Sequence, residues 1–395
     1  MKQDGSPPDR RTEPATPSEP FERIQLVDSL RGLALFGVLV MNLETAFRVS
    51  IFQDFLPSRT EATLDRAVET ALRVFVDLKA FAIFSLLFGL GLAIQHQRLQ
   101  GHPARLILLI RRLVVLLAFG LIHLYLIWNG DVLTEYAIVG LVVLPFLYAP
   151  TRIVAVTCGV ILFLYIAMPV LPSPAPLPDS AWMAEQVVRA QQVYGSGEFL
   201  DILEFRVQEV AALVPLHIQI SPRTLGLFLL GIIAWRTQFI QNASRQASLV
   251  WLLAAVGVGV GLLLTLVGRD DSLLHIGRLA QVASSAATIA LAVGYVSLVL
   301  ALGNLRGTRK LLALLAPMGR MAFTNYVCQS VVLGFIFYGY GFGLFGKIGW
   351  ACGLLMALLL YLAQVLLSRW WLNRFKFGPI EWIWRVLMYG RYAHR

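Results

Sequence analysis

The chain has 395 residues, of which 57% are hydrophobic and only 14% charged, and its mean hydropathy is +0.70. Soluble domains carry about 25% charged residues, so a soluble globule is excluded and the bilayer must be the solvent for most of this surface. The formal charge of +10 and pI near 9.8 do not point to nucleic acid, because the basic residues sit in short clusters between apolar stretches, as in cytoplasmic loops.

Residues 1–22 are rich in Pro, Ser, Thr and charge and hold no apolar run. That composition predicts a disordered cytoplasmic tail, and it lacks the basic-then-apolar order of a cleaved signal peptide. A spanning helix needs about 20 mainly apolar residues. Ten stretches qualify, near 30–50, 77–96, 107–128, 132–149, 152–171, 222–240, 248–268, 279–302, 320–340 and 348–368. The expected fold is therefore all-α, a polytopic membrane helix bundle over 23–371 with a cytoplasmic interfacial segment at 372–395. Asn129-Gly130-Asp131 and Ala149-Pro150-Thr151 are tight turns between neighbouring spans, because Gly and Pro punctuate long helical patterns.

With the N-terminus inside, Lys and Arg concentrate on the inner side. The clusters are Arg98, Arg105, Arg111 and Arg112, then Arg236 and Arg245, then Arg306, Arg309 and Lys310, and finally the C-terminal tail. That bias predicts N-in and C-in, in a bacterial inner (plasma) membrane. The long segment 172–221 then lies outside. It opens Pro-rich, continues helix-like from Asp179 to about Val193, breaks at Tyr194-Gly195-Ser196-Gly197, and resumes from Glu198 to Val214, apart from the span near 222–240. Loops of this length are uncommon unless functional or disordered. It is expected as a lid over the outer mouth or as a segment flat on the membrane.

Cys158, Cys328 and Cys352 fall in apolar stretches without metal-ligand spacing and are expected as small core residues. Trp128, Trp235, Trp350 and the Trp370-Trp371 pair suit interfacial belts, and Gly257 with Gly261 suits close helix contact.

Ionisable and amide side chains inside spans are expensive and tend to mark sites. Arg31, three residues after Asp28 on the first span, reads as an inner anchor or as a cation for an anionic ligand, with Asn42 further along nearly the same side. Lys79 reads as a snorkelling lysine or as a site cation facing Asp131. His123 lies one to two turns below the outer surface of the third span. It is either a core histidine bonded to a carbonyl or a general base or proton carrier. Asp131 and Glu135, one turn apart at the start of the fourth span, suit a helix N-terminus, and the hairpin returns them towards His123. One of the two can orient it. Arg320, Thr324, Asn325, Tyr326, Gln329 and Ser330 make the ninth span polar, either for helix–helix hydrogen bonds or to line a cavity. Glu381 and Arg385, four apart after Gly378-Pro379, suit a short helix on the cytoplasmic surface. There is no Walker loop, dinucleotide glycine fingerprint or zinc spacing, so no metal, permanently bound cofactor or nucleic-acid partner is expected.

Several motifs occur together: Asp28-Ser29-Leu30-Arg31-Gly32 with Met41-Asn42, Ser85 to Gly91, Gly120 to His123 with Asn129 to Leu133 and Tyr136, Gly319 to Tyr326 with Gln329-Ser330, and Gly378 to Arg385. The set resembles the YeiB-type bacterial membrane proteins, a family of unknown function, from about residue 24 to 390. The first span is in turn similar to those of transmembrane acyltransferases, which carry an acyl group from cytoplasmic acyl-CoA to an acceptor on the other face. The O-acyltransferases among them have an Arg followed eleven residues later by a catalytic His. Arg31 fits that pattern, but the eleventh place holds Asn42, which is no base.

Two functions follow as expectations. In acyl transfer, with acyl-CoA as co-substrate, Arg31 and Arg320 hold the donor's phosphates and Asn42 the reacting carbonyl. His123, oriented by Asp131 or Glu135, is the base. Lys79, Tyr136, Thr324, Asn325 and Gln329 complete the ligand-binding set. In transport of a small molecule or lipid-linked substrate, the same residues line a pathway with a proton relay. A third reading, a non-catalytic scaffold, and a homo-oligomer both stay open.

Overall fold

The computed structural model describes residues 25–56, 62–173, 175–269 and 277–390. The expected tail at 1–22 lies outside them. Fifteen α-helices follow in chain order: α1 Gln25–Asn42, α2 Thr63–Phe75, α3 Lys79–Arg98, α4 Arg105–Ile122, α5 Leu133–Val143, α6 Thr151–Ala167, α7 Ser180–Ser196, α8 Phe199–Arg236, α9 Ala247–Val267, α10 Gly277–Gly303, α11 Arg306–Ala313, α12 Ala316–Arg320, α13 Ala322–Phe337, α14 Trp350–Leu372 and α15 Pro379–Tyr389. No strand occurs among the described residues. Eight helical stretches are long and apolar enough to cross a membrane. Two shorter apolar ones, Leu133–Leu147 and Ala322–Phe337, pack between them. The ten stretches read from the sequence correspond to these, and the protein is a polytopic helical bundle.

α1 is the central helix, buried on almost every side. It meets α12 where Gly319 lies against the Asp28 carbonyl and Gly32 against Leu315. Gly89 of α3 meets the backbone of Phe228 on α8, and Gly231 of α8 meets Leu86. On α9, Gly257 faces Gly294 of α10, the close contact expected of a small residue in a membrane interface. These contacts and the docking of α15 on α13 bring the starts of α1 and α13, with α12 and α15, to one end. Arg236 joins them there, donating to the carbonyls of Phe146, Leu147 and Ala149. This basic end faces away from the one where Arg48 donates to Ile348 O at 2.9 Å.

α8 departs from the sequence reading. The stretch from Glu198 and the span from 222 form one helix of 38 residues through Pro215 and Pro222. A proline removes one backbone bond, and inside a membrane bundle neighbouring helices make this tolerable. The break expected over Tyr194–Gly197 narrows to its last residue, since α7 stays helical through Ser196; after Gly197, Asp201 accepts from the Glu198 N–H at 3.0 Å and closes a capping box that starts α8. α2 was not read as a separate helix. It is amphipathic and is tied by Arg73, which pairs with Asp54 at 2.8 Å and Glu69 at 3.1 Å.

Two expectations are corrected. Trp128 is not interfacial but 2% exposed, its ring stacked on Phe47 at 4.5 Å. Of the three free cysteines only Cys158 is in the core, while Cys328 and Cys352 lie exposed on apolar helices.

α15 is latched to the start of α13. Glu381 accepts from the backbone N–H groups of Phe323 at 2.8 Å and Thr324 at 3.0 Å, and from Thr324 Oγ1 at 2.5 Å. Those N–H groups have no intrahelical partner, so Glu381 acts as a cap supplied from another helix. Glu381→Ala is expected to cost about 1–2 kcal/mol in detergent unfolding, and Glu381→Gln, which keeps the acceptor oxygen, less. Burial pushes the Glu381 carboxyl up, against the downward pull of its bonds from Thr324 and Phe323. The folded state thus binds this proton at a pH where the unfolded chain has lost it. The carboxyl's contribution is full below the ordinary carboxylate range and shrinks as pH rises through the raised value. Unfolding midpoints against pH should lose that slope in Glu381→Gln.

Candidate functional site

The site grows from the hairpin between α4 and α5. Gly120 and Thr134 let the two helices approach closely, since a Cβ at 120 would meet the Thr134 backbone. α4 then widens into a π-helical turn, His123–Ile127, and the Trp128 N–H donates to His123 O at 2.7 Å. Such bulges recur at functional positions. Asn129-Gly130-Asp131 turns the chain, and Asp131 caps α5 by accepting from the Thr134 N–H at 2.7 Å.

This geometry sets His123 against Asp131. His123 Nδ1 lies 2.9 Å from Asp131 Oδ1, off the line of an ideal N–H···O bond, and the two residues are 2% and 1% exposed. With the proton on Nδ1, facing the carboxylate, the lone pair stands on Nε2. That atom is buried and has no hydrogen-bond partner among the described residues. The ring rests against Tyr326 at 5.0 Å. The Tyr326 hydroxyl is turned to the Val132 N–H at 3.4 Å, beside the charge of Asp131.

Glu135, the second predicted acid, does not reach His123. It faces α8, accepting from Thr224 Oγ1 at 2.6 Å and lying 3.6 Å from His217 Nδ1. Tyr136 turns to α3, sharing a hydrogen bond with Ser85 Oγ at 2.8 Å and donating to Phe81 O at 3.0 Å. Tyr136 and Tyr326 sit within electrostatic reach of each other. His123, Asp131 and Tyr326 thus form one buried group between α4, α5 and α13, while Tyr136 and Glu135 on the next turns of α5 face α3 and α8.

The other predicted residues lie elsewhere. Asn42 is buried at the end of α1, just before a π-helical turn, Leu43–Phe47, that packs on Trp128. Lys79 does not face Asp131; it donates to Arg73 O at 2.8 Å. Asn325 donates to Ser368 Oγ at 2.9 Å, Gln329 to Gln364 Oε1 at 2.8 Å, and Gln364 back to Asn325 O at 3.1 Å. Those amides join α13 to α14, and Thr324 serves the Glu381 latch. Arg31 stands at the basic end, 3.0 Å from Asp28 and near Gly91. Beside it, Arg112 lies over the Trp384 ring at 4.9 Å and feels the charges of Arg31 and Arg98. Arg320 donates to Lys376 O at 3.4 Å.

Sequence reasoning missed Arg223, Arg206, Glu209 and the Glu44–Arg48 pair. Glu44 and Arg48 are four apart inside an apolar span and pair at 2.9 Å, a legible signal. Glu209 accepts from Asn129 Nδ2 at 2.8 Å and from the Tyr194 hydroxyl, which ties the α4–α5 turn to α7. Among the described residues no cluster of His, Cys, Asp and Glu could hold a metal ion.

The chain is 33% identical to the uncharacterized protein YxaH of Bacillus subtilis (strain 168), over 93% of this chain and 94% of that protein. It is 30% identical to the uncharacterized protein YeiB of Escherichia coli (strain K12), over 93% of this chain and 96% of that one. The chain belongs to the YeiB-type family. Within it, residues 234–391 match the family described as "Protein of unknown function (DUF418)". An uncharacterized 39.9 kDa protein in the amylase 3' region of Bacillus acidopullulyticus is 30% identical over 94% of this chain and 95% of its own. No solved structure matches. The matched stretch 234–391 leaves out His123, Asp131 and Glu135, but the YxaH and YeiB likenesses extend over nearly the whole YeiB-type chain.

Proposed function

We propose that the protein is a membrane-embedded transferase that moves an acyl group from a cytoplasmic acyl-CoA to an acceptor reaching the bundle from the opposite face. The observation that carries this reading is the buried His123–Asp131 pair with Nε2 unpartnered. An acceptor hydroxyl or amine gives its proton to Nε2 while its oxygen or nitrogen attacks the acyl carbon. The C–S bond then breaks, and the departing thiolate takes the proton back. The basic end is the cytoplasmic side in this reading, where Arg31, with Arg98 and Arg112 close by, meets the donor's phosphates. Arginine suits them because its planar fork matches phosphate geometry.

Thermal unfolding in detergent tests it, with acyl-CoA compounds, free CoA and ATP as control. A ligand at about 100 times its dissociation constant stabilises by roughly 2.7 kcal/mol. Selective stabilisation by acyl-CoA, absent in Arg31→Ala, is the expected result. A folded wild type indifferent to every CoA species overturns the reading.

One observation favours proton-coupled transport instead. Half-exposed His217 stands 3.6 Å from buried Glu135, a second acid–base pair nearer the surface. Flux that collapses with a protonophore would select that reading.

A further inference from the structure

Arg223 has no assigned task in either reading. It sits in the spanning helix α8, 3% exposed, and its Nε and Nη1 are buried without a hydrogen-bond partner among the described residues. Arg206 on the same helix is as deeply buried, yet it donates to Tyr125 O at 3.2 Å and lies over the Tyr338 ring at 5.8 Å. Arg223 has no such bond. Glu135, which the neighbouring Thr224 engages, has both oxygens turned elsewhere, to Thr224 and to His217. The side chain that feels the charge of Arg223 is Tyr136.

A guanidinium removed from water and left unpaired is costly, and in a membrane such residues face ligands or pathways. The charge therefore calls for an anion that is not part of the chain. Depth narrows the source. Arg223 precedes Arg236 at the basic end by 13 residues of helix, about 20 Å at 1.5 Å per residue. Its neighbour Thr224 is bonded to Glu135 in the first turn of α5, at the other end of the bundle. Arg223 thus lies past mid-bilayer towards the face opposite the basic end, about 10 Å short of the far edge of a roughly 30 Å hydrocarbon core, so a lipid phosphate meets it by being drawn inwards along α8. Just above it α8 turns an apolar, exposed surface outwards through Val214 and Ile218, with half-exposed His217 between them.

We propose that Arg223 is an oxyanion-binding residue, and that its ligand is the phosphodiester of an anionic lipid entering between α5 and α8 from the face opposite the basic end. The site is separate from acyl transfer and does not depend on it. A phosphate ester would be held by charge and by the free guanidinium N–H groups, with the lipid chains remaining outside against Val214 and Ile218.

The test is thermal unfolding of the purified protein in a neutral detergent, with added phosphatidylglycerol, phosphatidylcholine or inorganic phosphate. The unfolding midpoint is expected to rise with phosphatidylglycerol and not with phosphatidylcholine. The rise should vanish in Arg223→Gln and be kept in part in Arg223→Lys. Arg309→Gln and Lys310→Gln, on the exposed α11 at the basic end, should respond like wild type. If phosphate alone stabilises, and only with Arg223 present, the oxyanion site stands and the lipid source is overturned. An equal response in Arg223→Gln, a response lost in the α11 variants instead, or no response to any probe overturns the whole proposal. Should Arg223→Gln fail to fold, Arg223→Lys decides through the ratio of its lipid response to that of wild type. No turnover is measured, so failure here leaves the acyl-CoA experiment unaffected.

Discussion

His123→Ala is expected to lose acyl transfer by at least about 100-fold while retaining its fold, because a positioned base contributes about 10²–10⁴ in rate. The loss should fall on turnover more than on acyl-CoA binding, since Arg31 and not His123 stands at the donor's end. Asp131 needs a subtler substitution. It both faces His123 Nδ1 and caps α5 through the Thr134 N–H. Asp131→Ala would remove the cap as well, at a cost of about 1 kcal/mol, and would confuse folding with chemistry. Asp131→Asn keeps an acceptor oxygen for the cap and removes only the charge that faces His123 Nδ1. Its rate should fall with unfolding nearly unchanged. Full turnover in a folded His123→Ala protein, measured as free thiol released from acyl-CoA in the presence of acceptor, removes this histidine from the mechanism.

The bundle was legible in the sequence because the bilayer leaves a spanning chain little choice. Each apolar stretch must satisfy its own backbone, so it must be helical, and Asn129-Gly130-Asp131 could only be a tight turn. The same turn made the approach of His123 and Asp131 legible, because a hairpin returns residues on either side of it to one level. What the sequence hid came from packing between distant helices. Arg223 follows Pro222 and looked like the edge of a span. Only the continuity of α8 through both prolines places it within one. Trp128 resembled an interfacial aromatic, but the turn after α1 supplies Phe47 to stack on it and the Ala46 carbonyl for its indole N–H at 3.3 Å. Asn325 and Gln329 looked equally suited to a cavity or a helix interface, and nothing before Gln364 and Ser368 of α14 could decide between them.

Gly89→Ala is expected to destabilise the protein although alanine is the better helix former, and the reason locates the site's mechanical support. A Cβ at 89 would run into the backbone of Phe228, which has no flexible end to move aside. Overpacking of this kind costs about 1–3 kcal/mol, occasionally more. Gly259 supplies the control, because a Cβ there meets nothing within 4 Å. Gly259→Ala should be neutral or gain up to about 1 kcal/mol from helix propensity alone. The two variants make the same chemical change in two apolar helices, so their difference in unfolding midpoint isolates the α3–α8 contact. Equal midpoints would show that the two backbones do not touch. The contact matters beyond stability. Gly89 lies one turn from Ser85, which shares its hydroxyl bond with Tyr136, and Phe228 lies one turn from Thr224, which holds Glu135. Forcing α8 off α3 therefore pulls apart the two helices that hold Tyr136 and Glu135 of α5. The Gly89→Ala protein should lose turnover, and also the phosphatidylglycerol response of Arg223, at temperatures where it is still folded.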